Sequence, residues 1–524
     1  MTSTMVVGAL LRERANEIPD DLFLWCADDQ LTFAQTNDRS ERVAAGLAEL
    51  GVRKGDRVAI ISSNRIEMLE VFFACAKLGA IQVPLNIFLK GDFLRYQLDD
   101  SRAETLIVDE AGYQAAAGIL SDLPVLKRII AFDHTEGAIP YATLHHTEAA
   151  VPDVEIEPSD VLSILYTSGT TGMPKGCMLP NGYYLTGATM ASEMCEYIAD
   201  DVLFTALPLF HAWAQGMVMG ALVHKLPAVV DPIFSVGRLL ERSIETGATV
   251  FAGVGAMGMA MLGVPPSEKD RAHKLRVALM IPFSEQQQHE FMKRFGATVL
   301  SQLYGQTECG AIAYSVLSGP RNLNSVGSPA YYLDVRLVDD DDMKVPVGAL
   351  GEIVVRPKKP NTIFKGYWRK PEETLKAWRN LWHHTGDYGR ANEDGSITFV
   401  DRKKDALRRR GENISSVELE MAIIAHPKIA EAAVHGIPSA MTEDDIKACI
   451  VLVAGEEISP EELFFFFKDA LPYFAIPRYV ELLPELPRNA TMRVMKHLLR
   501  DRGVSAETWD FDALGITVAP EERR

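Results

Sequence analysis

The sequence predicts an α/β protein: a large N-terminal αβ domain with parallel sheets, helices and a small β region, then a small α+β domain. Three observations carry this. At 524 residues the chain exceeds what one hydrophobic core usually supports. Short apolar, β-branched runs alternate with helical patterns of about ten to fifteen residues, the mark of βαβ units and a largely parallel sheet. At Asp401 the composition shifts into a charged run, and a second set of strand and helix signals follows. The boundary is read there, giving domains of residues 1–401 and 402–524.

Leu10 to Glu17 reads as an amphipathic helix, and Arg39 to Leu50 as another, stopped by Gly51. Val58 to Ile61 is a short buried strand, Glu67 to Leu78 a helix ending before Gly79, and Leu106 to Val108 a further strand. Residues 114–154 carry weak signals and stay unassigned. Val161 to Leu165 is an apolar run that reads as a buried strand. Phe251 to Leu262 has a helical pattern holding three glycines and three methionines. A glycine inside a helix costs about 1 kcal/mol relative to alanine, so these residues are expected to leave room for an apolar pocket. Close helix packing with methionine as filler is the plainer alternative. Gly395 to Val400 is hairpin-like.

Composition narrows the function. Hydrophobic residues make up 47% and charged residues 24%, ordinary for a globular protein. A formal net charge of −18 argues against nonspecific nucleic-acid binding. The six cysteines are scattered without a CxxC pair, which suits reduced thiols and a cytoplasmic location. No basic segment followed by a long apolar one opens the chain, so no secretory leader is expected. The most apolar stretch, Ala212 to Val223, is too short to span a bilayer.

The chemistry begins after Val161 to Leu165. Within the next residues come Thr167, Ser168, Gly169, Thr170, Thr171, Gly172 and Lys175. Glycines let backbone N–H groups approach an anion, hydroxyls donate further hydrogen bonds, and lysine supplies a point charge. Such a loop suits nucleotide phosphates. It departs from the common phosphate loop, which has glycine directly before Lys-Ser/Thr: Pro174 precedes Lys175 and Gly176 follows it. A Gly/Ser/Thr-rich surface turn is the other reading of the composition. Further on, Tyr304-Gly305-Gln306-Thr307-Glu308 offers a ring to stack on a purine, a hydroxyl for a phosphate and a carboxylate for Mg²⁺. Asp387 and Arg402, fifteen residues apart, suit a carboxylate on ribose hydroxyls with a supporting cation. Each taken alone is also an ordinary turn or surface charge, as His211 alone is an ordinary core histidine.

The stretch Tyr166 to Gly176 resembles, almost letter for letter, the signature loop of the adenylate-forming superfamily, which holds acyl-CoA synthetases, nonribosomal peptide adenylation domains and firefly-type luciferases. Further matches run to the C-terminus. The resemblance implies an acyl-CoA ligase that uses ATP and Mg²⁺, forms an acyl-adenylate with AMP, and passes the acyl group to CoA. It implies catalytic roles for Lys175, His211 and Glu308, with Tyr304 and Gly305 at the adenine, Thr307 at a phosphate, and Asp387 with Arg402 at the ribose. His211 and Trp213 would close the acyl pocket, and Val254, Gly255, Met259 and Ile281 would line it. The C-terminal domain would swing about a hinge at Lys404, with Arg408, Arg409, Arg410 and Gly411 meeting CoA.

Two positions depart from that pattern. Where the family carries glycine and then a lysine bridging the carboxylate and the α-phosphate, this chain has Met492 and Arg493, with Lys496 three residues on. A planar guanidinium directs its hydrogen bonds differently from a compact ammonium, and loss of such a preorganised cation costs about 10²–10³ in rate by analogy with an oxyanion donor. The small-residue turn against the adenine reads Leu279-Met280-Ile281-Pro282 here. The resulting expectation is an enzyme whose thioester step survives while adenylation is weak, taking its acyl-adenylate from a separate adenylating enzyme. A fully competent ligase, transfer to a carrier protein, and a non-catalytic AMP-binding protein are the alternatives.

Overall fold

A computed structural model of the chain describes residues 5–167, 173–403, 407–409, 412–414, 416–438, 444–471, 475–488 and 494–518. The fold is mixed α/β, as the alternation of patterns predicts. Residues 1–335, 355–383 and 393–397 form one compact unit, and residues 336–354, 384–392 and 398–524 form another.

The first unit holds two seven-stranded sheets. One runs in the order Ile139–Pro140, Arg128–Ala131, Thr105–Val108, Arg57–Ile61, Ile81–Pro84, Val161–Thr167, Lys175–Pro180, parallel except for its last pair. The other runs Thr298–Leu300, Val277–Ile281, Val250–Val254, Leu203–Thr205, Ala228–Val230, Leu22–Cys26, Asp29–Thr32, again parallel except for its last pair. Their strands are apolar because both faces are covered: Val58 to Ile61 and Leu106 to Val108 are fully buried.

Helix ends follow local chemistry. Ile66–Leu78 is buried at every position but Glu67 and ends at Gly79, whose φ of 66° is the left-handed conformation that glycine tolerates. Phe33–Glu49 begins six residues before the sequence pattern suggests, since Thr32 and Gln35 form a reciprocal capping box that starts it among polar residues. The unassigned stretch 114–154 supplies Arg128–Ala131 and Ile139–Pro140. Strands this short show no periodicity.

One expectation is corrected. Phe251 to Leu262 is not a single helix: Val250–Val254 is a central strand and Gly255–Gly263 the helix that follows it. Nor do its glycines leave open space. A Cβ on Gly258 would lie 2.4 Å from the Met280 sulfur, one on Gly253 2.7 Å from the Phe251 ring, and one on Gly255 1.8 Å from the Pro282 carbonyl oxygen. They are small because neighbours already fill the volume.

In the second unit, Leu333–Val338, Leu350–Pro357, His383–Ala391 and Ile397–Arg402 form a four-stranded sheet, most of whose residues belong to this unit. A further four-stranded sheet, Ile429–Pro438, Asp444–Leu452, Tyr479–Leu482 and Trp509–Asp510, packs with the helices Ser416–Ile424 and Pro460–Ala470 around Ile423, Val434, Ile446, Leu463 and Phe467. Within it Lys447 and Glu481 are both fully buried with Nζ and Oε2 2.5 Å apart, and Lys447 also donates to the Gly503 carbonyl at 2.6 Å. Removing one member of a buried pair strands the other charge, at about 3–5 kcal/mol. Glu481→Gln is therefore expected to lower the stability of this unit by about 3 kcal/mol in chemical denaturation, while Val453→Thr, at an exposed site, stays near wild type.

Candidate functional site

Lys175 opens a strand. Val161–Thr167 and Lys175–Pro180 pair antiparallel as a β-hairpin with Thr167 directly opposite Lys175. The common phosphate loop instead leads into a helix. Ser168, Gly169, Thr170, Thr171 and Gly172 lie outside the described residues. The hairpin is bordered on its far side too: Trp368 N–H donates to the Gly176 carbonyl at 2.8 Å, Lys365 N–H to the Met178 carbonyl at 2.8 Å, and Cys177 bridges Tyr367. Gly176 is required by its neighbour, since a Cβ there would sit 2.5 Å from Ile164 Cγ2.

That bordering segment carries Tyr367 into the site. Its hydroxyl donates to Glu308 Oε1 at 2.9 Å, and the Lys175 ammonium stands 5.1 Å from its ring centroid, within cation–π range. Burial first, and the Glu308 carboxylate second, hold the Tyr367 hydroxyl protonated by raising its pKa. The buried Cys177 thiol is held neutral in the same way. Glu308 itself sits in a tight turn, closed by Cys309 N–H to the Gln306 carbonyl and fixed by Phe364 N–H to the Glu308 carbonyl. Gly305 lets the strands Leu303–Gln306 and Gly310–Tyr314 approach, because a Cβ would meet the Gly310 carbonyl oxygen at 2.3 Å. Tyr304 is buried beside it, and Thr307 completes the turn. Lys175 further donates to Glu373 Oε2 at 2.6 Å.

Among the described residues no cluster of three or more His, Cys, Asp or Glu side chains is assembled for a metal. A single carboxylate such as Glu308 still suits Mg²⁺, which keeps several waters and binds through one or two carboxylates plus phosphate oxygens.

The acyl candidates gather by topology. The strands Leu203–Thr205, Val250–Val254, Val277–Ile281 and Thr298–Leu300 are parallel neighbours, and ligands of open α/β sheets bind beyond such carboxyl ends. Val254 and Ile281 are register partners at those ends, Gly255 follows the first, and the stretch to His211 and Trp213 leaves the strand Leu203–Thr205. Val254 and Met259 are exposed apolar side chains. His211 starts the helix Ala212–His224, and burial lowers its pKa to about 4, so the imidazole is neutral.

Residues the sequence reading passed over hold this loop. Asn64 accepts from Leu209 N–H at 2.7 Å and donates to the Leu207 carbonyl at 2.9 Å. Gln215 donates to the Leu209 carbonyl at 2.6 Å, and its Oε1 takes the Tyr184 hydroxyl at 2.7 Å and Gln82 Nε2 at 3.2 Å. The one signal available was a polar residue in an apolar run, as with Gln82 between Ile81 and Val83. Tyr367 and Glu373 gave none.

In the second unit, Asp387 is buried and Arg402 Nε stands 3.8 Å from its Oδ1 on the adjacent strand, an ion pair of carboxylate and guanidinium. Arg408 and Arg409 lie on the strand Leu407–Arg409. Lys404, Arg410, Gly411, Met492 and Arg493 lie outside the described residues. Lys496, by contrast, is engaged: its ammonium is 2.7 Å from Glu420 and 2.5 Å from Ser416 Oγ. No helix among the described residues is long and apolar enough to cross a membrane.

Comparison with known proteins finds a family and relatives over most of the chain. The family described as AMP-binding enzyme matches residues 11–368, and its C-terminal domain matches residues 418–493. The chain is similar to the crotonobetaine/carnitine–CoA ligase of Salmonella enteritidis, at 33% identity over 495 residues that cover 90% of this chain and 93% of that protein. Among solved structures it is similar to ATP-bound MatB from Rhodopseudomonas palustris (TM-score 0.84, 26% identity, 94% of this chain and 98% of that one). It is also similar to the o-succinylbenzoate CoA synthetase of Bacillus subtilis in complex with its acyl-adenylate intermediate (TM-score 0.82, 27% identity, 94% and 98%).

The neutral His211 sets a pH dependence. Above pH 6.5 neither the folded nor the unfolded chain protonates it. Below that the unfolded chain takes up the proton and the folded one does not until about pH 4, so stability falls through this window. His211→Asn is expected to flatten that part of the stability profile, read from denaturation midpoints between pH 7 and pH 4.5.

Proposed function

The chain belongs to the AMP-binding enzyme family, and from that premise we propose that it forms an acyl-CoA thioester from an acyl-adenylate and CoA, with a weak adenylation step. The observation that carries the ligase reading is the cluster of Lys175, Tyr367 and Glu308. A phosphate-seeking cation and a metal-seeking carboxylate are held on opposite parts of one tyrosine. Both serve the same triphosphate or acyl-phosphate, since cations and Mg²⁺ on transferring phosphoryl groups are the usual source of stabilisation. Within the first unit Tyr304 is the candidate for an adenine, and within the second Asp387 with Arg402 is the candidate for a ribose.

In adenylation the acid's carboxylate oxygen attacks the α-phosphorus of ATP and pyrophosphate leaves. In thioester formation the CoA thiolate attacks the acyl carbonyl carbon, the C–O bond to phosphate breaks, and AMP departs with the electron pair. Neither step requires a protein nucleophile. Positioning and charge stabilisation do the work.

Two observations support weak adenylation. Arg493 stands in the sequence where the family pattern has lysine. Lys496, the ammonium nearest in sequence, is committed to Glu420 and Ser416, and burial of the Glu420 carboxylate makes that partner costly to strand. The thioester step makes no demand on that cation, so an acyl-adenylate supplied by another enzyme would be a substrate. A second reading is a competent ATP-dependent ligase, which the names of the relatives favour.

The neutral His211 and the apolar Val254, Met259, Ile281 and Trp213 support an acid with an apolar body. An aromatic acid is in keeping with the structural relative named for o-succinylbenzoate.

Offering candidate acyl-adenylates, and separately free acids with ATP and Mg²⁺, each with CoA, tests the proposal. Thioester is expected from the adenylates, with ATP–pyrophosphate exchange about 10²–10³ below that of an Arg493→Lys variant. Brisk exchange by the unmodified protein would replace this reading with the competent ligase. No thioester from any adenylate, with CoA or a carrier protein as acceptor, would remove both.

A further inference from the structure

We propose that Glu373 is an internal competitor for the Lys175 ammonium, a positioning residue that neutralises the phosphate-binding cation until a nucleotide phosphate displaces it. The inference rests on the reading above that Lys175 serves the phosphates.

Glu373 divides its two oxygens between two lysines. Oε2 takes Lys175 at 2.6 Å and Oε1 takes Lys376 at 2.9 Å. These contacts, the Lys175 hydrogen bond foremost, depress its pKa to about 2, so it is a full negative charge at neutral pH. Any phosphate that approaches Lys175 therefore meets a carboxylate already seated on the same ammonium. Displacement is inexpensive for two reasons. The pair is partly solvated, with side chains 28% and 34% exposed, and such pairs contribute little. Lys376 also keeps its hold on the released carboxylate, so the charge is never left alone.

Lys175 does not lose its bearing when Glu373 leaves. The Tyr367 ring still faces the ammonium at 5.1 Å, and the antiparallel partner Thr167 still fixes the backbone. Tyr367 is in turn tied to the turn of the helix that carries Glu373: its N–H donates to Thr374 Oγ1 at 2.9 Å, and that hydroxyl donates to the Lys370 carbonyl at 2.9 Å. The carboxylate is thus delivered to Lys175 from the same short segment that delivers the Glu308 partner. A carboxylate that merely braced Lys175 would have the opposite effect on nucleotide, because removing a brace weakens binding and removing a competitor strengthens it.

Calorimetric titration of the full chain with Mg·ATP, and separately with AMP, distinguishes these. Glu373→Gln and Glu373→Ala are expected to bind Mg·ATP about two- to fivefold more tightly, the range that partly exposed ion pairs reach. Glu373→Asp should stay near wild type. The gain should shrink at about 1 M salt, where charges more than a few ångströms apart are screened. Lys376→Met, which leaves Glu373 only Lys175 to pair with, should weaken Mg·ATP binding. Lys175→Ala should weaken it in every background and abolish the effect of Glu373→Gln. If Lys175→Ala weakens binding while the Gln and Ala variants bind equally or less well than wild type, Glu373 is a brace and the proposal fails. If Lys175→Ala leaves Mg·ATP affinity unchanged, the phosphate role of Lys175 fails and this inference with it.

Discussion

The cross-strand pairing of Thr167 with Lys175 fixes the direction of the site. An antiparallel hairpin repeats its side-chain directions every second residue, so once Val161–Thr167 is locked as an interior strand the lysine at the head of its partner has one orientation. The locking is thorough. Val161–Thr167 has a parallel neighbour in Ile81–Pro84, and residues 365–368 border the partner strand on its other side. Backbone hydrogen bonds to Gly176 and Met178 on that outer side hold the partner strand in place. Tyr367, Glu308 and Glu373 then inherit their positions from that border.

A second constraint governs the acyl side. Loops at the carboxyl ends of parallel strands are usually the mobile part of an α/β domain. Here the loop ending at His211 is tied by buried polar groups, Asn64 from one side and Gln215 from the other. Gln215 is itself held by Tyr184 and Gln82, and each would be costly to bury unpaired. Such a network specifies one loop conformation where apolar packing alone would allow several. It holds in place the segment that carries the neutral His211 imidazole.

Charge is allotted differently in the second unit. The buried Lys447 and the partly buried Lys496 are both committed to carboxylates, Glu481 and Glu420, so these two cations serve the unit's own structure. Arg402 beside Asp387, in the same unit, is by contrast partly exposed, and the arginines of the charged run that follows Asp401 are the further cations the sequence offers.

The sequence by itself determined the α/β class and the division into a large N-terminal and a smaller C-terminal part, and it named the candidate residues. Those depend on composition, on apolar period and on short contiguous runs such as Tyr304 to Glu308, and such features are written locally. The expectation attached to Arg493 rests on the sequence alone, since that residue lies outside the described residues. Only the tertiary structure decided that Lys175 begins a strand, that the space at Gly253, Gly255 and Gly258 is filled by the Phe251 ring, Pro282 and Met280 respectively, and that Lys496 is engaged. It alone brought Tyr367 and Glu373 to Lys175 from about two hundred residues away in the chain. The reason is physical: what a glycine makes room for, and which carboxylate meets which cation, are properties of neighbours in space, and pairings at that separation leave no periodic trace in either segment.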